Sequence, residues 1–224
     1  MPGAKVPQAE RRTQILTAAY RVAAERGLTG IRISEVATRA GVSHGLVLYH
    51  FKSKRGLVLA LLDWLLASTT VLHLGDDILA LESPFDQLRA LLRQEMHRLS
   101  SEPRRIRLTF DYWSASIRDA TIRSRMRTEF ARYRAAFRPF AQAVIAANPE
   151  RFCGVTAEGL AAVSVSFIKG CSVQSMIDLE HFDIAEYLDA AERLIQGVPA
   201  PRRTGATGRP PAHAARRALA TDDA

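Results

Sequence analysis

The stretch Ile33 to Lys54, ISEVATRAGVSHGLVLYHFKSK, decides how the chain is read. Ile33, Val36, Ala37 and Ala40 recur at helical spacing, which predicts a short amphipathic helix. Gly41 closes it, because glycine takes the left-handed backbone of a C-cap without a side-chain clash. Val42 is expected as a buried pin and Ser43 as the N-cap of a second helix, from about His44 to Phe51. Val47 and Phe51, one turn apart, should point inward. Two short helices joined by a tight glycine turn make a helix-turn-helix unit, whose second helix enters the DNA major groove. An ordinary helical hairpin has the same pattern, so the surroundings must decide.

Charge separates the two readings. Residues 1–60 hold ten Lys/Arg against three Asp/Glu, residues 61–197 sixteen against eighteen, and residues 198–224 five against two. The positive excess therefore lies on the candidate helix-turn-helix and on the tail, as on a surface that neutralises phosphates. With 224 residues, 47% of them hydrophobic, the chain can build one or two domains with a real core. The apolar run Leu57 to Leu66 is broken by Asp63 and is too short to span a bilayer. The first residues lack the apolar segment of a secretory signal, so a cytoplasmic protein with reduced thiols at Cys153 and Cys171 is expected, with no membrane partner. Cysteines and histidines do not cluster at metal-ligand spacing. An activated nucleophile motif and a glycine-rich phosphate loop are also missing, so no metal, cofactor or enzymatic activity is expected.

Working outward, residues 1–8 read as a flexible basic arm and 9–54 as a DNA-binding domain. Its first helix, Ala9 to Arg26, carries Ile15, Leu16, Ala19, Val22 and Ala23 on one stripe and stops at Gly27. Ser53 caps a fourth helix that should run to about Leu74, apolar nearly all round and so buried between the DNA-binding part and the rest. Gly75-Asp76-Asp77 reads as a break. Ser83-Pro84-Phe85-Asp86 is a helix start, with a cap, a proline at the first position and an acid in the first turn. Its stripe is Phe85, Leu88, Leu92, Met96 and Leu99. A sixth helix places Ile106, Phe110, Trp113 and Ile117 on one face. A seventh, Ala120 to Ala147, buries Ile122, Met126, Phe130, Tyr133, Phe137, Phe140 and Val144, with its arginines on a solvated face. Helices at about 156–179 and 183–197 complete an all-α chain of about nine helices, in which 55–198 form one larger bundle. Residues 199–224, rich in Pro, Gly, Ala and Arg, cannot bury enough surface to order and read as a disordered basic tail.

Gly41-Val42-Ser43, Gly45, Leu48-Tyr49-His50-Phe51, Lys52-Ser53-Lys54 and Leu57 together resemble the N-terminal signature of the TetR family of bacterial transcriptional regulators. The resemblance covers about residues 10–60. It implies that His44, Gly45 and Leu46 face base edges, while Tyr49, His50 and Lys54 hold the DNA backbone beside the Ser43 cap. Such families have Thr or Ser where this chain has Arg32, which could supply the phosphate contact alone; Leu48 stands where Tyr is common. The resemblance also implies a homodimer through the last two helices, a pseudo-palindromic operator in double-stranded DNA, and a small-molecule effector that releases it. The regulator is expected to act as a repressor.

Helical bundles hold small molecules in mainly apolar cavities between helices. The pocket expected here draws on Trp64, Met96, Phe110, Trp113, Met126, Phe130, Phe137 and Phe167, with Asp111 and Cys171 as polar groups. Each could equally be plain core. An acid among aromatics would suit a cationic effector through cation–π contact, beside the apolar and aromatic alternatives. The pattern Phe110-Asp111-Tyr112-Trp113 resembles the betaine-responsive branch of the family. A DNA-binding protein with no effector would instead have a filled core, and a helical enzyme is a third, remote alternative.

Overall fold

Glycines and short polar side chains set the element boundaries, as the sequence predicts. Gly41 adopts φ 62°, ψ 36° after the helix Ile33–Ala40, and the Ser43 hydroxyl accepts the N–H of Leu46 at 3.1 Å. Ser53, Ser83, Asp119, Thr156 and Asp183 cap later helices in the same way, each taking one or two otherwise orphaned N–H groups. The computed structural model describes residues 7–67, 75–178 and 180–197. The arm before Pro7 and the tail after Gly197 lie outside them.

The described residues form ten helices: α1 Gln8–Arg26, α2 Ile33–Ala40, α3 His44–Phe51, α4 Lys54–Ala67, α5 Asp76–Leu79, α6 Pro84–Ser100, α7 Pro103–Arg118, α8 Ala120–Ala147, α9 Ala157–Ile177 and α10 Ile184–Gly197. The tenth is α5, one short turn where a break is expected. Gly75 precedes it, and Ile78 buries itself from its middle.

Two apolar clusters account for the packing. The first gathers Ile15, Val22, Val36, Val47 and Phe51 from the three N-terminal helices with Leu57, Leu61 and Leu65 of α4. It also takes in Leu108 and Tyr112 of α7 and Ile122 and Met126 of α8. The small DNA-binding unit therefore shares its core with the larger bundle. The second cluster joins α6, α8, α9 and α10 around Leu88, Leu92, Met96, Tyr133, Phe137 and Ile168. Helix α9 is long and apolar enough to cross a membrane by composition, yet it packs against α6, α7, α8 and α10.

Two expectations about packing change. Val42 is only partly buried at the rim of the first cluster. On α7 the buried residues are Ile106, Leu108 and Tyr112, whereas Ile117 is largely exposed. The inward face of α7 is turned by Tyr112, whose hydroxyl donates to the Val58 carbonyl at 2.7 Å. Several α8 arginines, solvent-facing as expected, also act as tethers. Arg125 pairs with Asp63 at 2.6 Å, Arg132 donates to the Leu66 carbonyl, and Arg123 donates to the end of α7.

Leu61 is fully buried where the two units meet. Leu61→Ala is expected to cost about 2–5 kcal/mol through lost transfer energy and the cavity left behind. A urea titration would show this as a lower midpoint with one shared transition; two separated transitions would mean that the units do not share a core.

Candidate nucleic-acid interface and effector cavity

Helix α3 buries Val47 and Phe51 and turns its remaining residues outward. Ser43, His44 and Gly45 are exposed, Leu46 and His50 are half-buried, and Tyr49 is 62% exposed. A Cβ at Gly45 would meet only the Ser43 Oγ, at 4.0 Å, so nothing within the chain demands glycine there. Lys52 stands over the Tyr49 ring at 5.3 Å from a C-cap with φ 66°. Arg12 lies over the Phe51 ring at 4.5 Å and donates to the His50 carbonyl. Arg32 is exposed and precedes α2 without capping it, while Lys54 donates to the Thr29 carbonyl at 3.1 Å.

The cations of this unit fall into two groups. Arg26, Arg39 and Arg55 are paired with Glu35, with Glu25 and Glu35, and with Asp119. Among the described residues, no carboxylate pairs with Arg11, Arg12, Arg21, Arg32, Lys52 or Lys54, and of these all but Arg21 are residues expected at or near the DNA. These unpaired charges raise the local potential around α3. Partial burial and the charges of Arg12, Arg11 and Lys52 push the His50 pKa below its usual value, so its ring is neutral at physiological pH. A neutral ring between Tyr49 and Phe51 acts in packing as much as in contact.

The expected pocket residues separate. Trp113, Met126 and Phe130 line a small void of about 30 Å³ between α4, α6, α7, α8 and α9. Trp113 and Phe130 also line a larger, open groove of about 370 Å³ against α9. Their rings stack at 5.1 Å, and Phe110 packs edge-on to Trp113 at 4.7 Å. Met96, Phe137 and Cys171 are fully buried in the second cluster, with burial raising the Cys171 thiol to about 11. They are core because α6, α8 and α9, which carry them, pack directly on one another. Trp64 packs on Tyr20 of α1, at 5.8 Å, and Phe167 packs against Tyr187 of α10. Asp111 does not enter the cavity: its Oδ2 accepts the N–H of Leu28 at 3.2 Å, just after α1.

Sequence reasoning missed a buried polar group beside the void. Glu95 is fully buried on α6 and is held by Arg98 at 2.7 Å. Tyr133 donates to Glu95 at 3.2 Å and accepts from Arg98 at 2.9 Å. Burial raises the Tyr133 pKa, and the Glu95 carboxylate adds to this. Lys169 of α9 places its ammonium 4.4 Å from the Tyr133 ring centre and lines both the void and the groove. Burial lowers its pKa to about 8. Two signals were present in the sequence. Glu95 interrupts the apolar stripe of α6, and Lys169 is the one charged residue between Gly159 and Ile177.

A basic helix-turn-helix sharing a core with a helical bundle defines a class: a DNA-binding regulator with a C-terminal sensory or assembly domain. Residues 15–61 match the family model described as bacterial regulatory proteins, tetR family, and residues 84–200 match that of the BetI-type transcriptional repressor, C-terminal. The chain belongs to the TetR family of transcriptional regulators, with a BetI-type C-terminal domain. It is 28% identical over 192 residues to the HTH-type transcriptional regulator BetI of Burkholderia thailandensis, covering 86% of this chain and 95% of that one. The fold matches a putative transcriptional regulator of Saccharomonospora viridis in complex with choline (TM-score 0.65, 20% identity, 85% and 97% covered). It also matches the regulator FadR of Bacillus subtilis in complex with stearoyl-CoA (TM-score 0.64, 17% identity, 82% and 96% covered).

The Lys169 ammonium is disfavoured in the folded chain, where Tyr133, Glu95, Arg98, Glu129 and Arg105 surround it. The unfolded chain therefore binds that proton more tightly between about pH 8 and pH 10.5. The cost is fully present below pH 8 and is relieved as pH rises, by on the order of 3 kcal/mol in all. Lys169→Met should thus be more stable than the parent at pH 7, with the gap closing as pH approaches 10. Urea midpoints across that range test this; a gap that does not narrow would mean Lys169 is not desolvated.

Proposed function

We propose that the chain is a homodimeric repressor that grips a pseudo-palindromic operator with two copies of α3 and lets go when a small molecule occupies the groove at Trp113. The observation that carries the DNA half is the set of unpaired cations, Arg11, Arg12, Arg32, Lys52 and Lys54, around an exposed helix face. Phosphates would neutralise these charges and fix the register, leaving His44 and Leu46 to read base edges and Gly45 to let the strands come close. Tyr49 and Lys52 would flank the backbone, and Ser43 would present the first turn of α3.

Assembly has its own support. Val163 and Ile177 of α9 and Leu194 of α10 are exposed large apolar residues on the last two helices. Small residues near them, Gly159 and Ser166, allow close helix approach. Burying this stripe against a second copy would set the two α3 helices at the separation of successive major grooves, about 34 Å. An effector that prefers a differently spaced form would lower DNA affinity by its differential binding energy, typically about 1–3 kcal/mol.

The route between groove and DNA is short. Trp113 follows Asp111 and Tyr112, which hold the Leu28 N–H and the Val58 carbonyl. Arg105, at the void, donates to the Leu65 carbonyl at the far end of α4. A ligand that moves Trp113 would pull on both ends of α4.

Two measurements test this reading. Gly45→Ala should raise stability by roughly 0.5–1 kcal/mol, as alanine does for glycine within a helix, while weakening binding to operator fragments enriched from the source genome. A variant that is more stable and binds DNA unchanged would remove α3 from the interface. Asp111→Ala should leave DNA binding of the ligand-free protein in place but reduce its response to any effector found in the same screen. Sedimentation of the free protein must show a dimer; a strict monomer overturns the model of paired recognition helices.

A further inference from the structure

The effector side of the regulator reading goes further, because Lys169 lines the groove without a carboxylate partner and Trp113, in the same wall, keeps a buried indole N–H unbonded. Lys169 and Trp113 line both the inner void and the outer groove, and so does Phe130. The Trp113 indole Nε1 is buried and has no hydrogen-bond partner. Among the described residues, no carboxylate lies within ion-pair distance of Lys169, whose ammonium meets only the face of Tyr133. The carboxylates nearest in kind are engaged elsewhere: Glu95 by Arg98 and Tyr133, Glu129 by Arg132 at 2.8 Å. Arg134 adds a second cation to the groove, with Glu158 at 3.7 Å as its partner, and the groove lining contains no acid.

A buried N–H without a partner and a half-buried ammonium without a carboxylate, in one wall, are complementary to an oxyanion. The stacked Trp113 and Phe130 rings beside them, with Ala162, Val165 and Val173, are complementary to an apolar or aromatic body. We infer that the groove between α7, α8 and α9 is a binding site for an organic acid, its carboxylate held by the Lys169 ammonium and the Trp113 N–H and its apolar part against the Trp113–Phe130 stack. A cationic ligand fits poorly. The aromatic face that would receive it, Tyr133, already carries Lys169, and Asp111, the acid expected to attract it, is bonded to Leu28 outside the groove. Lys169 supplies the charge at neutral pH, since burial brings its pKa down only to about 8.

The inference rests on the regulator reading only for its consequence at DNA; the binding itself is measured on the purified full-length chain. In a Trp64→Phe background, Trp113 is the single tryptophan and reports occupancy by fluorescence. Phenylacetate, benzoate and octanoate are titrated beside their neutral amides, phenethylamine and choline. Each acid that binds should do so about tenfold or more tightly than its amide, as expected of a charge-assisted contact, and more tightly than either cation. Lys169→Met should abolish the acid–amide difference. Trp113→Phe, which keeps the ring stack but removes the fluorescent reporter and is therefore followed by isothermal titration calorimetry, should weaken the acids several-fold with the fold intact by circular dichroism. Amides or cations that match the acids, a preference that survives Lys169→Met, or the failure of every acid to bind at millimolar concentration would overturn the inference. Operator gel shifts run in parallel separate the two claims. Acids that bind as described without releasing DNA uphold the site and sink induction, whereas release by choline with no acid bound sinks the site and upholds induction.

Discussion

Everything distinctive about this molecule hangs on the seam where α7 meets the DNA-binding unit. After α1 the chain turns at Gly27, with φ 70°, and the next N–H would be left facing the bundle without a helical acceptor. Asp111 supplies that acceptor. One residue on, Tyr112 is buried completely and bonds the Val58 carbonyl of α4; burial, with the nearby Asp63 and Asp111 charges, pushes its phenol well above the usual range. Losing either bond would strand a part-buried polar group, at up to about 1–3 kcal/mol each. The seam thus ties three small helices, too few to fold well alone, to a bundle that can hold them.

The same seam explains why the cavity lies where it does. Helix α7 cannot seal against α8 and α9 along its whole length, because Tyr112 and Leu108 face α4 and the first cluster. Trp113 and Phe110 are left to close the other side by stacking on Phe130 and on each other. Flat rings fill such a gap less completely than branched aliphatic side chains, and a void and a groove remain. The polar group that borders them, Glu95, Arg98 and Tyr133, is satisfied within itself; Lys169 is the member without a carboxylate. A buried ion pair stabilises little relative to apolar packing, whereas an unpaired charge costs stability outright. The face of the Tyr133 ring, 4.4 Å from the ammonium, offsets part of that cost.

How much of this was readable in the sequence follows from what each residue's role depends on. Caps and stops depend on neighbours a turn away, so Gly41, Ser43, Ser83 and Thr156 could be placed from spacing alone. Inward faces of α1, α3 and α8 were legible for the same reason, through period and apolarity. The exposed side of α3 was legible because Val47 and Phe51, a turn apart, fix which side turns inward. Pocket membership was not, since it depends on which apolar stripe finds a neighbour and which does not. Met96 and Phe137 are indistinguishable from Trp113 by composition, yet they are fully buried in the second cluster while Trp113 borders a gap. Asp111 was misplaced for a related reason: its partner lies 83 positions away, and no local pattern points to a backbone N–H. The short helix α5 escaped notice because two aspartates after a glycine look like a turn, and a single buried Ile78 decides otherwise.

Helix α4 converts these local facts into a mechanical one. Its described 14 residues make a rod of roughly 21 Å, anchored at its start by Lys54 to the loop before α2 and at its far end by Arg105 and Arg132 to α7 and α8. Displacements of about 1–2 Å are ordinary when packed helices switch between two arrangements. Applied at the Leu65–Leu66 end, such a shift would tilt the rod by roughly 3–5°. The DNA-binding unit packs on the rod through Leu57 and Leu61 and is bonded to α7 at Leu28, so it would follow as one body. In a two-fold pair the tilt acts once on each side and in opposite senses. The separation of the recognition helices would then change while each helix kept its own contacts intact, so a ligand buried among aromatic rings could act on DNA without touching any residue that does.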